Sequence, residues 1–234
     1  MHAWKLMVTP KMSGAENMRA DLEMFNAFEK GAGGPCLRTY SWKPKCISYG
    51  YGQEIAELVD QKRAGELGWD LVRRPTGGGI VFHNEAEITY SLVTAIDDPK
   101  LPKGMIPAYK RISEGVVVGL GRLGVEAGIR KQRAEHRTQN AGLCFSYPAE
   151  YEIVCGEKKI VGSAQKRGKR ALLQQGSIFV RDTAEQDLAL LKDKSARHDA
   201  LSVEEVLGRE VGFEELSGAL RRGFEEALGV SFEG

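Results

Sequence analysis

Nothing in the chain approaches the roughly 18 consecutive apolar residues that a membrane-spanning helix needs, and the mean hydropathy is −0.33. Neither sign of charge is in excess: 33 Lys and Arg face 32 Asp and Glu, for a formal net charge of +1. No global field therefore draws the protein toward nucleic acid or an anionic membrane, and neither is expected as a partner. Cysteine is scarce, and Cys36, Cys46, Cys144 and Cys155 form no CxxC pair. That spacing argues against a disulfide scaffold and a zinc ribbon and fits a reducing cytoplasm. The opening MHAWKLMVTPKM turns polar too soon for a signal peptide. What is present is a globular composition, 42% hydrophobic and 28% charged over 234 residues. A single domain over 1–234 is expected, with 201–234 as a Glu-rich helical tail of eight glutamates against three arginines. The 28 glycines are about 12% of the chain against a usual ~7%. Such backbone turns tightly or lets a ligand approach closely.

Hydrophobic spacing sets the elements. Trp4–Val8 reads as a strand, and Met18, Leu22, Phe25 and Phe28 make Ala15–Lys30 an amphipathic helix. Strands follow at Leu37–Trp42 and Cys46–Tyr49, separated by Pro44, which cannot donate to a central ladder. Ile55–Leu67 is predicted helical. Trp69–Arg74, Ile80–Phe82 and Ile88–Val93 are strand-like, and a long helix begins near Met105 with Tyr109, Ile112, Val116, Leu120 and Leu123 on one face. Tyr151–Cys155, Lys159–Val161 and Leu172–Val180 are further strands, and Phe213, Leu216, Leu220 and Phe224 are periodic in the tail. Strands paired in sequence with helices between them imply an α+β fold, a mixed sheet covered by helices.

Two familiar glycine patterns do not hold. Gly119–Gly124 spells GxGxxG but closes a helical pattern, whereas a dinucleotide fingerprint must follow a strand and open a helix. It is read as a helix stop. Gly162–Arg170 resembles a P-loop, but it is one residue too long and has Arg170 where Ser or Thr would bind magnesium.

Three blocks carry chemistry. Arg73-Arg74-Pro75-Thr76-Gly77-Gly78-Gly79 leads into Ile80–His83, and successive glycine N–H groups suit a carboxylate or phosphate oxygen beside the arginines. A glycine hairpin with solvated arginines is the plain alternative, and a structural contact to the turn is the plain reading of His83. In Lys158–Gln165 a lysine ends a strand and a small-residue turn, Gly162-Ser163-Ala164, follows; a solvated loop is the alternative. The third block is Cys144-Phe145-Ser146-Tyr147-Pro148. Cys36, Cys46 and Cys155 lie in apolar strand patterns, as buried small hydrophobes do. Cys144 instead has Arg130, Lys131, Arg133 and Arg137 upstream and Lys159 downstream, charge that would favour a thiolate.

Together these blocks resemble the lipoate–protein ligase A and octanoyltransferase family, which shares a catalytic fold with biotin–protein ligases. The matching segments are Leu37–Trp42 with Gly52-Gln53, Arg73–His83 with Glu87–Ser91, Cys144-Phe145 with Pro148 and Tyr151-Glu152-Ile153, Lys159–Gln165, and Gln174–Ile178. The resemblance implies a largely antiparallel sheet and one of two activities. Cysteine-type octanoyltransferases take octanoate from acyl carrier protein, hold it as a thioester and pass it to a lipoyl-domain lysine, with no cofactor. Lipoate–protein ligases use ATP and Mg2+ to make an acyl-adenylate before the same transfer. The stretch from Cys144 to Ile153 is similar to the transferases, and ligases typically carry Arg-Asn-Asp there. The chain is also short for a ligase with an accessory C-terminal domain. Gly79, by contrast, completes the ligase-like GGG where a transferase would carry GGR.

By this resemblance Cys144 and Lys159 are the expected catalytic pair. Arg73, Thr76, Gly77, Gly78, Gly79, His83, Gly162, Ser163, Ala164 and Gly176 are the expected substrate-binding residues, and no metal-ligand cluster is read. The expected acceptor is a lipoyl-domain protein, a glycine cleavage H protein or a 2-oxoacid dehydrogenase E2. Basic Lys158–Arg170 and Arg130–Arg137 could guide an acidic carrier protein. The other readings are a ligase catalytic subunit working with a separate accessory protein, and a non-catalytic relative that binds an acyl group or a lipoyl domain.

Overall fold

A computed structural model of the protein describes residues 4–9, 11–131, 143–144, 151–196 and 199–233. Its strands are β1 Trp4–Val8, β2 Cys36–Tyr40, β3 Cys46–Tyr49, β4 Asp70–Arg73, β5 Val81–His83, β6 Ile88–Ala95, β7 Gly128–Ile129, β8 Ile153–Cys155, β9 Lys158–Arg167, β10 Ala171–Ile178 and β11 Phe232–Glu233. Its helices are α1 Gly14–Glu29, α2 Ile55–Leu58, α3 Gln61–Glu66, α4 Met105–Gly121, α5 Glu185–Leu188, α6 Val203–Leu207 and α7 Phe213–Leu228. Eight strands form one sheet in the order β11-β1-β2-β6-β10-β9-β8-β7, and β4-β3-β5 form a second. In the large sheet only the pairs of β1 with β2 and β11 are parallel. The fold is thus α+β, with a mixed, largely antiparallel sheet under helices.

Period-two alternation assigns the faces of the large sheet. Tyr90 and Leu92 of β6, with Leu172 and Ile178 of β10, turn to the side covered by α4 and α7 and join the main core. Val93 and Leu173 turn the other way, onto Phe25 of α1. Thr89, Ser91, Gln175 and Ser177 lie on that second side, which faces α1 and the small sheet. A Ser13–Glu16 capping box starts α1, satisfying amides that would otherwise lack partners.

Helices α4 and α7 cross at glycines. A Cβ on Gly223 would collide with the Gly115 carbonyl and the Gly119 amide, and one on Gly119 would lie 3.0 Å from the Leu220 Cα. The GxGxxG segment therefore does end a helix, at Gly121, and its first glycine also admits a neighbouring helix.

Two expectations are corrected. Ile55–Leu67 is not one helix. Val59, 1% exposed, adopts extended backbone at the end of α2 and bridges to Leu191. Asp60 then starts α3 by accepting the Arg63 amide at 3.1 Å. Burying Val59 against the small sheet's core outweighs helical continuity. Nor do Gly162-Ser163-Ala164 form a turn. They lie inside β9, paired with Ser177, Gly176 and Gln175 of β10. Small residues sit mid-strand here because other groups come close: a Cβ on Gly176 would strike the Tyr90 ring.

Gly223→Ala should lower the unfolding free energy by about 1–3 kcal/mol, the range for overpacked sites. Denaturant midpoints would show it, and an unchanged midpoint would mean that the helix crossing is loose.

Candidate active site

The glycine block connects β4 to β5, which flank β3 on opposite sides. It is therefore not a hairpin, and its path is held from within. Arg74, 7% exposed, donates from Nε and Nη2 to the Gly77 carbonyl at 3.1 and 2.8 Å, and from Nη2 to the Gly79 carbonyl at 2.6 Å. Its Nη1 donates to the Ser48 carbonyl and to Ser48 Oγ, both at 3.2 Å. Gly78 sits at φ +92°, a conformation that glycine adopts without strain. Gly50 lies behind the loop, where a side chain would collide with the Gly78 carbonyl. Arg73, expected beside it, points away: its side chain is half exposed, 3.9 Å from Glu54 and over the Tyr49 ring. Strand alternation is the reason, since consecutive side chains leave opposite faces.

A second tether reaches the loop through Thr76, whose Oγ1 donates to Gln175 Oε1 at 2.7 Å. Gln175 Nε2 donates in turn to Asp21 Oδ2, also at 2.7 Å. His83 completes the same wall, 3% exposed and stacked on Trp42 at 3.9 Å. Burial first, and the Arg74 guanidinium second, hold its imidazole well below the ordinary value, so it is neutral.

Opposite lies Cys144, half-buried, whose amide donates to the Ile80 carbonyl at 2.8 Å. Lys159 comes from β9, 1% exposed. Its Nζ donates to the Cys144 carbonyl at 2.7 Å, lies 3.4 Å from Cys144 Sγ and pairs with Glu152. Burial pulls the ammonium pKa down, but the Cys144 sulfur and Glu152 outweigh it and leave it above the usual lysine value. Lys159 is thus a fixed buried cation. Gly162 makes room for the pair: a Cβ there would lie 3.0 Å from Cys144 Sγ and 3.3 Å from Lys159 Nζ.

These groups line a cavity of about 240 Å³, with Met18, Tyr40, Trp42 and Val81 among its apolar walls. Of the expected site residues, Cys144, Lys159, Thr76, Gly77, Gly78, Gly79, His83, Gly162, Ser163, Ala164 and Gly176 all line it, and Arg73 does not. Arg130 is drawn toward Glu157 at 3.2 Å. Arg133, Arg137 and Phe145–Pro148 lie outside the described residues. Sequence reasoning missed Arg74 as the clamp, Glu152 as a partner of Lys159, and Ser48, Gln175 and Ser177 as lining. Strand alternation in β10 would have put Gln175 and Ser177 on one face. Among the described residues no group of three or more His, Cys, Asp or Glu could hold a metal, and no helix is long and apolar enough to cross a membrane.

The chain that builds this cavity matches a known family. Residues 13–225 fit the Lipoyl protein ligase A/B catalytic domain, and the chain belongs to that family. Over 247 residues it is 37% identical to the octanoyltransferase LipM of Kyrpidia tusciae, covering 100% of this chain and 90% of that one. A lipoate-protein ligase A solved with bound ATP superposes with a TM-score of 0.79 at 29% identity, covering 99% of this chain and 87% of the other. A bi-partite lipoate protein ligase from Thermoplasma acidophilum, solved in a study of an archaeal lipoylation system with its E2 lipoyl domain, gives 0.73 at 26%, covering 100% and 86%.

Gly162→Ala should push Cys144 and Lys159 apart by a few tenths of an ångström and slow their chemistry roughly tenfold, given the steep cost of misplaced groups. The thermal midpoint should hardly move. A rate loss matched by an equal loss of folded protein would show a packing role only.

Proposed function

We propose that this chain is a cytoplasmic octanoyltransferase of protein lipoylation. In this reading it moves octanoate from acyl carrier protein, through a thioester on Cys144, to a lysine of a lipoyl-domain protein. The observation that carries it is the Cys144 sulfur 3.4 Å from the buried Lys159 ammonium on the wall of the cavity. Similarity to octanoyltransferases along the whole chain supports it, and the solved archaeal bi-partite ligase and its E2 lipoyl domain support the class of acceptor.

The Cys144 thiolate attacks the donor's thioester carbonyl, and the tetrahedral oxyanion collapses as the carrier's thiolate leaves. The acceptor's neutral amine then attacks the Cys144 thioester. The amide forms, the carbon–sulfur bond breaks, and the amine's proton offsets the charge on the departing Cys144 thiolate. Splitting one transfer into two easier steps is the advantage of a covalent intermediate. Lys159 is placed to stabilise both oxyanions, a contribution of about 3 kcal/mol. Glu152 holds the ammonium against the strand. The glycine loop, clamped by Arg74, shapes the polar end of the cavity, and Met18, Tyr40 and Trp42 receive the alkyl chain.

The second reading is ATP-dependent ligation through lipoyl-AMP, favoured by the likeness to a ligase solved with ATP. The residues fit that group less well. Arg74 is spent on the loop's own carbonyls and on Ser48, which leaves its guanidinium no donor for a phosphate. ATP would supply the activation that the carrier's thioester supplies in the first reading.

Incubation with octanoyl–acyl carrier protein, without ATP, should give an adduct on Cys144 that hydroxylamine removes, read by intact mass. Cys144→Ala should lose the adduct and at least roughly a thousandfold in transfer, the scale of a deleted covalent nucleophile. Lys159→Ala should cost about 10²–10³-fold. Pyrophosphate release with lipoate and ATP, and no adduct, would replace this reading with ligation.

A further inference from the structure

A buried residue outside the cavity reaches Arg74, the clamp of the glycine loop, through four hydrogen bonds. Glu87, 0% exposed, accepts from Ser177 Oγ and from the Val180 amide. Ser177 Oγ lies 3.3 Å from His83 Nδ1, and His83 Nε2 lies 2.7 Å from Ser48 Oγ. Ser48 Oγ accepts from Arg74 Nη1 at 3.2 Å, and Arg74 clamps the carbonyls of Gly77 and Gly79.

The donor inventory gives this chain a direction. A guanidinium has donors only, so Ser48 accepts from Arg74 and turns its own hydrogen to His83 Nε2. A neutral imidazole has one donor and one acceptor. With Nε2 accepting, the proton sits on Nδ1 and is donated to Ser177, which donates to Glu87. Every hydrogen from Arg74 to Ser177 then meets an acceptor. In the reverse direction the Ser48 hydroxyl hydrogen, in a side chain 2% exposed, loses its acceptor, and an imidazole N–H faces the Arg74 cation. Stacking on Trp42, with ring planes 15° apart, keeps the imidazole from turning to escape the choice. The Glu87 Oε2 atom has no partner among the described residues. Burial holds its carboxyl well above the usual range, and Oε1 is the oxygen that Ser177 meets.

We propose that Glu87 is a positioning residue: through Ser177 it fixes His83 as the Nδ1–H tautomer, and through Ser48 and Arg74 it sets the glycine loop that receives the acyl donor. Its kinetic consequence rests on the octanoyltransferase reading, whereas its tautomer consequence does not.

The test uses the full chain labelled with 15N-histidine, His83 being assigned by the spectrum of His83→Asn. Long-range proton–nitrogen spectra should show Nδ1–H in the native protein and in Glu87→Gln, whose side-chain oxygen still accepts from Ser177. Glu87→Leu removes that acceptor and should move the proton to Nε2. In octanoyl transfer, Glu87→Leu should raise KM for octanoyl–acyl carrier protein about tenfold with kcat within about twofold, as expected when fewer molecules hold the competent loop, and Glu87→Gln should restore KM. Should Glu87→Leu not fold, Ser177→Ala cuts the chain in the middle and should give the same tautomer change. An Nε2–H imidazole in the native protein, or an Nδ1–H imidazole with unchanged KM in Glu87→Leu, overturns the proposal. A native protein with Nδ1–H and no octanoyl transfer would leave the relay standing and remove the transferase reading instead.

Discussion

One buried carboxylate holds the layers together. Asp21, on α1, accepts from Arg38 at 2.7 Å and Tyr40 at 2.9 Å on β2, from Ser91 on β6 and from Gln175 at 2.7 Å on β10. Three adjacent strands thus present donors to one helical side chain, and both Asp21 and Arg38 are fully buried. A buried ion pair of this kind is weak evidence of net stability, since desolvating both charges costs much of what their attraction returns. Its clearer effect is on geometry. Four donors on two oxygens allow α1 one position along the sheet, and that position puts Met18 in the cavity wall. Arg38 is held further by Asn17, through the backbone carbonyl at 3.2 Å and Oδ1 at 2.6 Å, so the helix is gripped at two consecutive turns.

The glycine loop is flexible by composition and fixed by its surroundings. Two tethers enter it from different sides, Thr76 through Gln175 to Asp21, and Arg74 through Ser48 and His83 toward Glu87. Each ends on a buried carboxyl group, and each spans the gap between the small and large sheets. Pre-set polar groups of this kind need no reorganisation when charge develops on a substrate. Across the cavity Lys159 is held by Glu152 and by the Cys144 carbonyl, so the cation is rigid while the cysteine is half open to solvent.

Much of this was legible in the residues. Short apolar runs marked β3 and β6, helical spacing marked α1, α4 and α7, and the glycine, cysteine and lysine blocks named most of the cavity wall. Two kinds of information were not local. The first was which arginine of the pair turns inward: adjacent strand residues leave opposite faces, and nothing in Arg73-Arg74 alone says which face is buried. The second was the carboxyl anchors. Asp21 and Gln175 are 154 residues apart, and Glu87 and Ser177 are 90 apart, so only the folded sheets bring them together. Val59 and the Gly162–Ala164 stretch misled for a related reason: a buried contact overrode helical continuity in one, and glycine within a strand imitated a turn in the other.

The first strand of the chain pairs with the last, Trp4 beside Phe232 and Lys5 beside Glu233, and α7 covers the apolar face that β6 and β10 share with α4. During synthesis, then, the early strands wait. Until α7 and β11 have been made, β1 has an unpaired edge and the main core lacks its outer layer. The large sheet is therefore completed only when segments from opposite ends of the fold meet, and a nascent chain that lacks the second of them holds an incomplete core.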